Sequence, residues 1–446
     1  MGGEINKKLA LLLTLILVIG TMSMTAYAKT GQTEGEQTGA SNGMQTKNAA
    51  QLTSLEVDGV EITNTTSSYW KLDLNGEPTE VGASADDYDF KMKDKELYLN
   101  LKGNAIKSTD SSYLREAIRA EGDLIINLES NGTVQGDYCG IYIENGSLTV
   151  KGGYVLDAVG NDSGIDIKNY TNNNMYLMVN NNAKIDTTAT KDGGTGISVW
   201  DYADGSVSIS AQGGSINANA QGYMYAIYAS SQNGDVSVTA SQGGSIMAEC
   251  DGFTSCGIKA NCSGDRNVSV AASEGGSITA KANGEGSRGI EIYSSYGSAS
   301  VTANNSGSIK AEANGEESRG MLVGSYSGDI STEAINNGNI TAEATGEGST
   351  GLYHSTYFGE STISINSGIL SAKGTEYCIG SANYESIEVK EGGIVFAEGD
   401  IPDCIVISED SNGVVFENKV GKLYGDNVTL CANLKMPQDY TLTVDE

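Results

Sequence analysis

The chain has 446 residues, of which 58 are Gly and only 3 are Pro, and its 57 acidic against 27 basic side chains give a formal net charge of −30. Such acidity opposes binding to nucleic acid and to anionic membranes. Collagen is excluded because Pro is scarce and no three-residue glycine period occurs, whereas many turns with little Pro are typical of long β-strands.

The N-terminal residues have the three parts of a secretory signal peptide. Lys7 and Lys8 precede the apolar run LALLLTLILVIG, and small and polar residues then lead to the A-x-A site AYA. This pattern predicts a signal peptide over residues 1–28 and a secreted, extracellular or cell-surface protein. The run is short for a transmembrane helix and no other segment approaches the required length, so no membrane span is expected.

Two segments separate the signal peptide from the repeats. Residues 29–50 are polar and aperiodic, which predicts a flexible linker. From Gln51 onwards the runs LTSLEVDGVEI, YWKLDLNG and ELYLNLKGNAI alternate apolar and polar residues as strands do. These strands lie outside the repeat pattern, so residues 51–116 are predicted to form an N-terminal β cap over an open sheet edge.

A three-part repeat fills residues 117–400. The passage that begins at Gly275 returns almost unchanged 31 residues later, at Ser306. The first part is a strand with inward apolar residues at Ile118, Ile141, Ile165, Ile197, Ile227, Ile258, Ile290, Met321 and Leu352. The second is a short strand of the V-S-V type. The third is a strand with apolar residues at Val134, Val155, Ile185, Ile216, Ile246, Ile278, Ile309, Ile340, Ile369 and Ile394.

Strands of this kind cannot bury their apolar faces singly, but a coil of three strands per repeat can stack them into one core. Equivalent strands of successive coils then pair in parallel, with the right-handed crossover that parallel strands prefer. We predict an all-β fold, a right-handed parallel β-helix of about ten three-strand coils with an N-terminal β cap. The main rival is a β-propeller, whose repeats hold four strands in about 40–45 residues.

The C-terminal strands, residues 401–446, are expected to be an incomplete module. Their alternation continues to Val444 without a terminating pattern. An open sheet edge invites pairing unless it is covered. We therefore expect a downstream module or a partner at the C-terminal edge.

The run EAIRAEGDLIINLESNGTV, followed by CGIYIENGSLTVKGGYV, resembles secreted repeat proteins of Gram-positive bacteria that are described as containing carbohydrate-binding domains. The segments LEVDGVEIT, ELYLNLKGNAI and MPQDYTLTV are similar to the opening and closing parts of such modules. The resemblance implies the pectate-lyase-like β-helix superfamily and a surface or carbohydrate role. It assigns no catalytic motif to particular residues.

The outward positions of the first strand are the predicted binding surface. Aromatic rings with polar neighbours suit sugars, because a pyranose face stacks on a ring while its hydroxyls take polar partners. The candidate carbohydrate-binding residues are Tyr142, Asp166, Trp200, Tyr228, Glu291, Tyr293 and Tyr353. The alternative is that these rings only cover neighbouring coils. The expected function is a non-catalytic, adhesin-like or wall-associated protein that binds a polysaccharide or surface glycan.

Two further columns of residues recur at turns. Tyrosines after the first strand are expected to align along one edge and either stack or bind ligand; they are Tyr170, Tyr202, Tyr296, Tyr326 and Tyr357. Acidic residues in the turns GEGSRG, GEESRG and GEGSTG are expected to offset neighbouring arginines; these residues are Glu285, Glu316 and Glu347 with Arg288 and Arg319. Such exposed pairs contribute about 0–1 kcal/mol each.

A polysaccharide lyase or glycoside hydrolase on the same scaffold is the alternative function. Glycosidases need two carboxyl groups roughly 5–9.5 Å apart, whereas Asp166 and Glu291 are expected four coils apart, about 19 Å. Glu291 is expected to pair with Lys259, and His354 to point inwards. No catalytic or metal-ligating residue is assigned and no cofactor is required, although the acidity would permit Ca²⁺.

The seven cysteines are an odd number, so at least one lacks an intramolecular partner. Cys250, Cys256 and Cys262 follow one another at spacings of six. They could form a disulfide or a metal site, but no histidine lies nearby and no C-x-x-C occurs. Small buried side chains are the favoured interpretation.

Overall fold

The computed structural model describes residues 50–62, 68–73, 78–81, 87–108, 116–222, 224–381, 385–389, 393–399, 405–406, 413–416 and 422–426. All of these belong to one compact unit, Lys47–Glu446. The predicted signal peptide, the linker except for its last residue, and most of residues 401–446 lie outside the described residues.

The described residues form strands and turns. The first strands are β1 Ser54–Val57, β2 Val60–Glu61, β3 Ser68–Leu72, β4 Pro78–Val81, β5 Phe90–Lys93, β6 Glu96–Leu99, β7 Ala105–Lys107, β8 Ile118–Glu121, β9 Leu124–Leu128, β10 Gly132–Gln135, β11 Cys139–Glu144, β12 Leu148–Lys151 and β13 Val155–Gly160. The central strands are β14 Ser163–Asn169, β15 Met175–Asn180, β16 Lys184–Ala189, β17 Thr195–Asp201, β18 Val207–Gln212, β19 Ser215–Gln221, β20 Tyr225–Ser231, β21 Val236–Ser241, β22 Ser245–Asp251, β23 Cys256–Cys262, β24 Val268–Ala272, β25 Ser277–Asn283, β26 Arg288–Ser294 and β27 Ala299–Asn304. The last strands are β28 Ser308–Asn314, β29 Arg319–Ser325, β30 Ile330–Ile335, β31 Asn339–Ala344, β32 Thr350–Thr356, β33 Ser361–Asn366, β34 Ile369–Gly374, β35 Tyr377–Ser381, β36 Glu385–Val389, β37 Ile394–Gly399, β38 Ile405–Val406, β39 Gly413–Phe416 and β40 Lys422–Asp426.

Every third strand joins the same sheet, as a coil of three strands requires. Sheet A runs β2-β1-β8-β11-β14-β17-β20-β23-β26-β29-β32-β35-β38. Sheet B runs β39-β36-β33-β30-β27-β24-β21-β18-β15-β12-β9-β6-β5-β3-β4, and sheet C runs β40-β37-β34-β31-β28-β25-β22-β19-β16-β13-β10-β7. The three parallel sheets stack into a β-solenoid of about nine turns. The predicted parallel β-solenoid is therefore confirmed, and the β-propeller is excluded.

The inward residues of the first strand align as predicted. Ile165 lies in register with Ile141 on one side and Ile197 on the other, and the row continues in sheet A through Met321 and Leu352. All of these side chains are fully buried. Because each coil places the same residue type above its copy, the apolar rows form one continuous core.

The third-strand column was predicted with a one-residue error in three coils. Val155, Ile369 and Ile394 are not inward; the buried residues are the next ones, Leu156, Leu370 and Val395. Leu156 pairs with Ile185, and Leu370 pairs with Ile340. Each of these strands begins with two consecutive apolar residues, so alternation alone does not say which one enters the core.

The N-terminal strands extend sheets A and B by antiparallel pairing at one end, whereas β6 and β7 already pair in parallel with β9 and β10. Strand β1 lies antiparallel on β8 at the end of sheet A, with Leu55 opposite Ala120. Strands β3, β4 and β5 extend sheet B by antiparallel pairing, and Trp70 stacks on Phe90 at a ring distance of 5.8 Å. The strands that end sheets A and B, β2 and β4, are short, which leaves few unpaired backbone groups for another chain.

A hydroxyl side chain ends several strands of sheet A and shapes the turn that follows. Ser325 Oγ accepts the N–H of Gly328 and donates to the carbonyl of Gly297 in the preceding coil, at 2.8 and 2.9 Å. Ser231, Ser294 and Thr356 make the same pair of contacts. A Cβ at Gly328 would lie 2.1 Å from the Gly297 oxygen, so this turn requires glycine for close approach of the coils.

The predictions for the buried cysteines and the histidine are confirmed. Cys250, Cys256 and Cys262 are free and buried, as is Cys139, whereas Cys378 is disulfide-bonded. Burial raises the pKa of the Cys250 thiol to about 11. The free thiols therefore fill space in the wall of the solenoid, as uncharged small side chains.

His354 lies inside the solenoid. It occupies the register position of Val323 in the next coil and is fully buried. Its Nε2 lies 2.8 Å from Thr332 Oγ1, and its Nδ1 lies 2.8 Å from Ser361 Oγ. Both ring nitrogens thus have hydroxyl partners on sheet B, which makes this residue a link between two sheets.

Within the described residues, no helix is long and apolar enough to span a membrane.

Candidate functional site

The outward face of sheet A carries all seven candidate residues in two parallel rows. One row runs Tyr142, Asp166, Ser198, Tyr228, Lys259, Glu291, Leu322 and Tyr353. The second row runs Glu144, Lys168, Trp200, Ser230, Asn261, Tyr293, Gly324 and Ser355. The candidates are therefore spread from β11 to β32, and only some of them lie close enough to act together.

Five rings form a first aromatic cluster on this face: Tyr170, Trp200, Tyr202, Tyr225 and Tyr228. Trp200 stacks on Tyr202 at 4.7 Å, and Tyr202 stacks on Tyr170 at 5.0 Å. Tyr228 meets the edge of Trp200 at 5.5 Å and stacks on Tyr225 at 5.0 Å. The structure thus brings the candidates Trp200 and Tyr228 together. Sequence reasoning missed Tyr225, whose signal is its position at the start of the strand, three residues before Tyr228.

A second aromatic cluster lies further along the solenoid: Tyr293, Tyr296, Tyr326, Tyr357 and Phe358. Ring distances from Tyr326 are 6.2 Å to Tyr296, 5.6 Å to Tyr357 and 5.4 Å to Phe358. The Tyr293 ring leans over Gly324 of the next coil, where an added Cβ would lie 2.9 Å from it. Two rings of this cluster remain largely in contact with solvent, since Phe358 is 72% exposed and Tyr357 is 63% exposed.

The predicted column of turn tyrosines is correct in part. Tyr170 and Tyr202 share a position, as do Tyr326 and Tyr357, each directly after the paired last residue of its strand. Tyr296 lies one position further along, because Ser294 pairs with Ser325 and Tyr326 follows Ser325 directly. The three coils between Tyr202 and Tyr296 are 30, 31 and 32 residues long, measured from Ile197 to Ile290, so a spacing counted over several coils loses the register.

Asp166 lies at the buried base of the face. Its side chain is 3% exposed, and its Oδ2 lies 2.8 Å from Lys168 Nζ and accepts a 3.3 Å hydrogen bond from Tyr138. Burial lowers the pKa of Lys168, but attraction to Asp166 outweighs it and the pKa is raised. Lys168 and Arg119 also face the Tyr142 ring, at 5.7 and 5.2 Å. Tyr142 is thus held between two cations.

Glu291 is the centre of a second charged group. It pairs with Lys259 at 3.1 Å, as predicted, and with Arg288 at 2.9 Å, and its side chain is 12% exposed. Burial by itself raises the pKa of the Glu291 carboxyl, but attraction to Lys259 and Arg288 outweighs it and the pKa is lowered. Lys259 Nζ also lies 5.3 Å from the Tyr225 ring, which links this group to the first aromatic cluster.

The predicted pairing of turn glutamates with arginines is wrong. Arg288 pairs with Glu291 of its own strand, and Arg319 lies over the Tyr353 ring at 4.6 Å. In the described part of the chain, neither arginine makes an ion pair with the exposed glutamates Glu285, Glu316 and Glu347. Both arginines begin strands of sheet A, so their side chains extend over the outward face instead of along the turn.

The outward face of sheet A offers ring surfaces for stacking and polar groups for hydrogen bonding. Asp166 and Glu291 are separated by Ser198, Tyr228 and Lys259, and each carboxylate is paired with a cation. Among the described residues, no group of three or more His, Cys, Asp or Glu side chains is placed to hold a metal ion. Ring planes, an amide and hydroxyl groups remain for a polyhydroxylated ligand.

No family model, no curated protein and no solved structure matches the chain.

Proposed function

We propose that this protein is a secreted, non-catalytic β-solenoid that binds carbohydrate through the outward face of sheet A, in an adhesin-like or wall-associated role. The observation that carries the proposal is the first aromatic cluster, in which Trp200 and Tyr228 meet on adjacent coils and are both partly exposed. Contiguous exposed aromatic surface on a soluble protein marks an interaction site. Flat ring faces are suited to the C–H faces of pyranose sugars.

The charge of the molecule supports a neutral glycan as the ligand. The chain carries a net charge of −30, which repels acidic polysaccharides. The cations Lys168, Lys259 and Arg288 on the binding face are already paired with Asp166 or Glu291. Binding a sulfated or uronic-acid polymer at these three cations would require breaking these half-buried ion pairs.

The signal peptide and the resemblance to Gram-positive carbohydrate-binding repeat proteins support the same role. Export is the expected route to a wall or surface glycan. The expected downstream module or partner at the C-terminal edge remains a prediction, since residues beyond 426 lie outside the described part of the chain.

Replacing both Trp200 and Tyr228 by Ala tests the proposal. The full chain and the double variant are applied to an array of glycans and insoluble polysaccharides, with and without Ca²⁺. We expect the variant to lose retention at least about tenfold, equivalent to about 1.4 kcal/mol, because the stacking surface is removed.

The control is Tyr154→Ala, which removes an exposed tyrosine that precedes β13 on another side of the solenoid. Circular dichroism shows whether each variant keeps its strands. Unchanged retention by a folded double variant would show that the binding face is wrongly assigned. Release of shortened glycans by the unmodified chain would favour the polysaccharide lyase or glycoside hydrolase instead.

A further inference from the structure

We infer that the gap between the two aromatic clusters seats a neutral, extended oligosaccharide that lies along the solenoid axis. The inference rests on the proposed function and specifies the place, orientation and class of the ligand. The gap is defined by Ser230 and Asn261, which follow Trp200 and precede Tyr293 in one row of sheet A.

The gap has a large ring at each end, Trp200 and Tyr293, and small polar side chains between them. Three coil steps separate Trp200 from Tyr293, which is roughly 14 Å at about 4.8 Å per coil. Tyr293 is 38% exposed, whereas Ser230 is 3% exposed, so the rings stand above the floor between them. A linear glycan of about three sugar units spans this distance, since one pyranose is about as long as one coil spacing.

The positions directly after these strands of sheet A show the same sequence of a ring followed by small or uncharged polar residues. Tyr202 follows β17, and Gln232 and Ser263 occupy the same position in the next two coils. Tyr296 stands near the far end and is 59% exposed. The gap is therefore bounded by Trp200 and Tyr293 in one row and by Tyr202 and the nearby Tyr296 at the adjoining turn, and its own side chains are uncharged amides and hydroxyls.

The floor of the gap contains an unused hydrogen-bond acceptor. Asn261 Oδ1 is buried and has no hydrogen-bond partner among the described residues. A buried polar atom without a partner costs free energy, and such atoms are rare in folded proteins. A sugar hydroxyl that reaches Asn261 Oδ1 would supply the missing donor.

The charges around the gap favour an uncharged glycan as the ligand. Lys259, the cation beside Asn261, is held by Glu291 at 3.1 Å and lies against the Tyr225 ring. Its charge is thus already compensated, and no anionic group of a ligand is needed there. A straight row of rings and acceptors favours an extended, β-linked chain over a coiled one.

The test is the binding of β-1,4-linked gluco-oligosaccharides of increasing length to the full chain, by titration calorimetry. We expect affinity to rise until the oligosaccharide reaches both rings and then to level off. Tyr293→Ala and Asn261→Leu should each lower the affinity for the longer oligosaccharides about tenfold, with little effect on the shortest one. Asn261→Leu keeps the side-chain size, so thermal unfolding should show an intact fold, and Tyr154→Ala is the control.

The outcomes separate this inference from the proposed function. Affinity that does not depend on length, or that is unchanged in Tyr293→Ala and Asn261→Leu, would overturn the inference. If Trp200→Ala still abolished binding in that case, the proposed face would stand with a different ligand pose. No binding of the oligosaccharides would also overturn the inference, and the glycan array would then decide the proposed function separately.

Discussion

Several charged residues on the outward face of sheet A form ion pairs with one another. Glu291 holds Lys259 and Arg288, and Asp166 holds Lys168. Alternation predicts that these residues face outwards, and the prediction that Lys259 and Glu291 pair is confirmed. The part taken by Arg288 was not predictable, because it depends on where the arginine side chain extends at the start of its strand.

Glu291→Gln should destabilise the protein by about 3 kcal/mol at neutral pH, because two half-buried cations lose their counter-charge. The pKa of Glu291 is lower in the folded chain than its ordinary value of 4.5. The ionised carboxylate therefore stabilises the fold above the unfolded pKa, and this contribution is lost as the pH falls through the folded pKa. Urea unfolding at a series of pH values should show the gap between wild type and variant closing in the acid range.

Glu285→Gln is the matched control for that experiment. Glu285 is exposed in a turn and makes no ion pair with the arginines in the described part of the chain. Its replacement should change stability by less than about 0.5 kcal/mol at any pH. A Glu291→Gln variant that behaves like this control would show that the ion pairs do not stabilise the fold.

At the scale of the strand, register decides which residue enters the core. Sequence alternation places most inward residues correctly, but it fails in sheet C where two apolar residues begin a strand. In β34 the structure buries Leu370 fully and leaves Ile369 36% exposed. The partner strand settles the choice, since Leu370 pairs with the inward Ile340.

Truncation of these two neighbours should therefore have unequal effects. Leu370→Ala should lower the free energy of unfolding by about 2–5 kcal/mol, because it leaves a cavity in the core. Ile369→Ala should cost less than about 1 kcal/mol, because its side chain is already in contact with solvent. Chemical denaturation of the two variants measures the difference, and equal effects would mean that the register of β34 is wrong.

At the scale of the whole molecule, each coil contacts chiefly the coils before and after it. Stability in such solenoids is close to a sum of coil and interface contributions. Strands with parallel neighbours on both sides, such as β20 and β23, are buried in the ladder, whereas β4 pairs only with β3 in the described sheet. Opening should therefore begin near the ends of the sheets.

Hydrogen–deuterium exchange followed by mass spectrometry checks this expectation. Amides of β17 to β29 should exchange most slowly, and amides of β3 and β4 should exchange faster by about two orders of magnitude or more. The reason is that central coils open only with their neighbours, while the antiparallel end strands can separate alone. Equal protection throughout would show a single cooperative unit instead.

The amino-acid sequence by itself determined the repeat, the three strands of each coil, the inward isoleucines and the outward position of the aromatic candidates. These follow from local alternation and from a period that needs no knowledge of contacts. Only the tertiary structure decided that the Trp200 and Tyr228 rings are in contact and that Ser230 and Asn261 separate Trp200 from Tyr293. It also decided which charged residues pair. Coil lengths range from 23 residues between Ile118 and Ile141 to 32 between Ile165 and Ile197. Contacts between coils therefore depend on a register that only the paired strands establish.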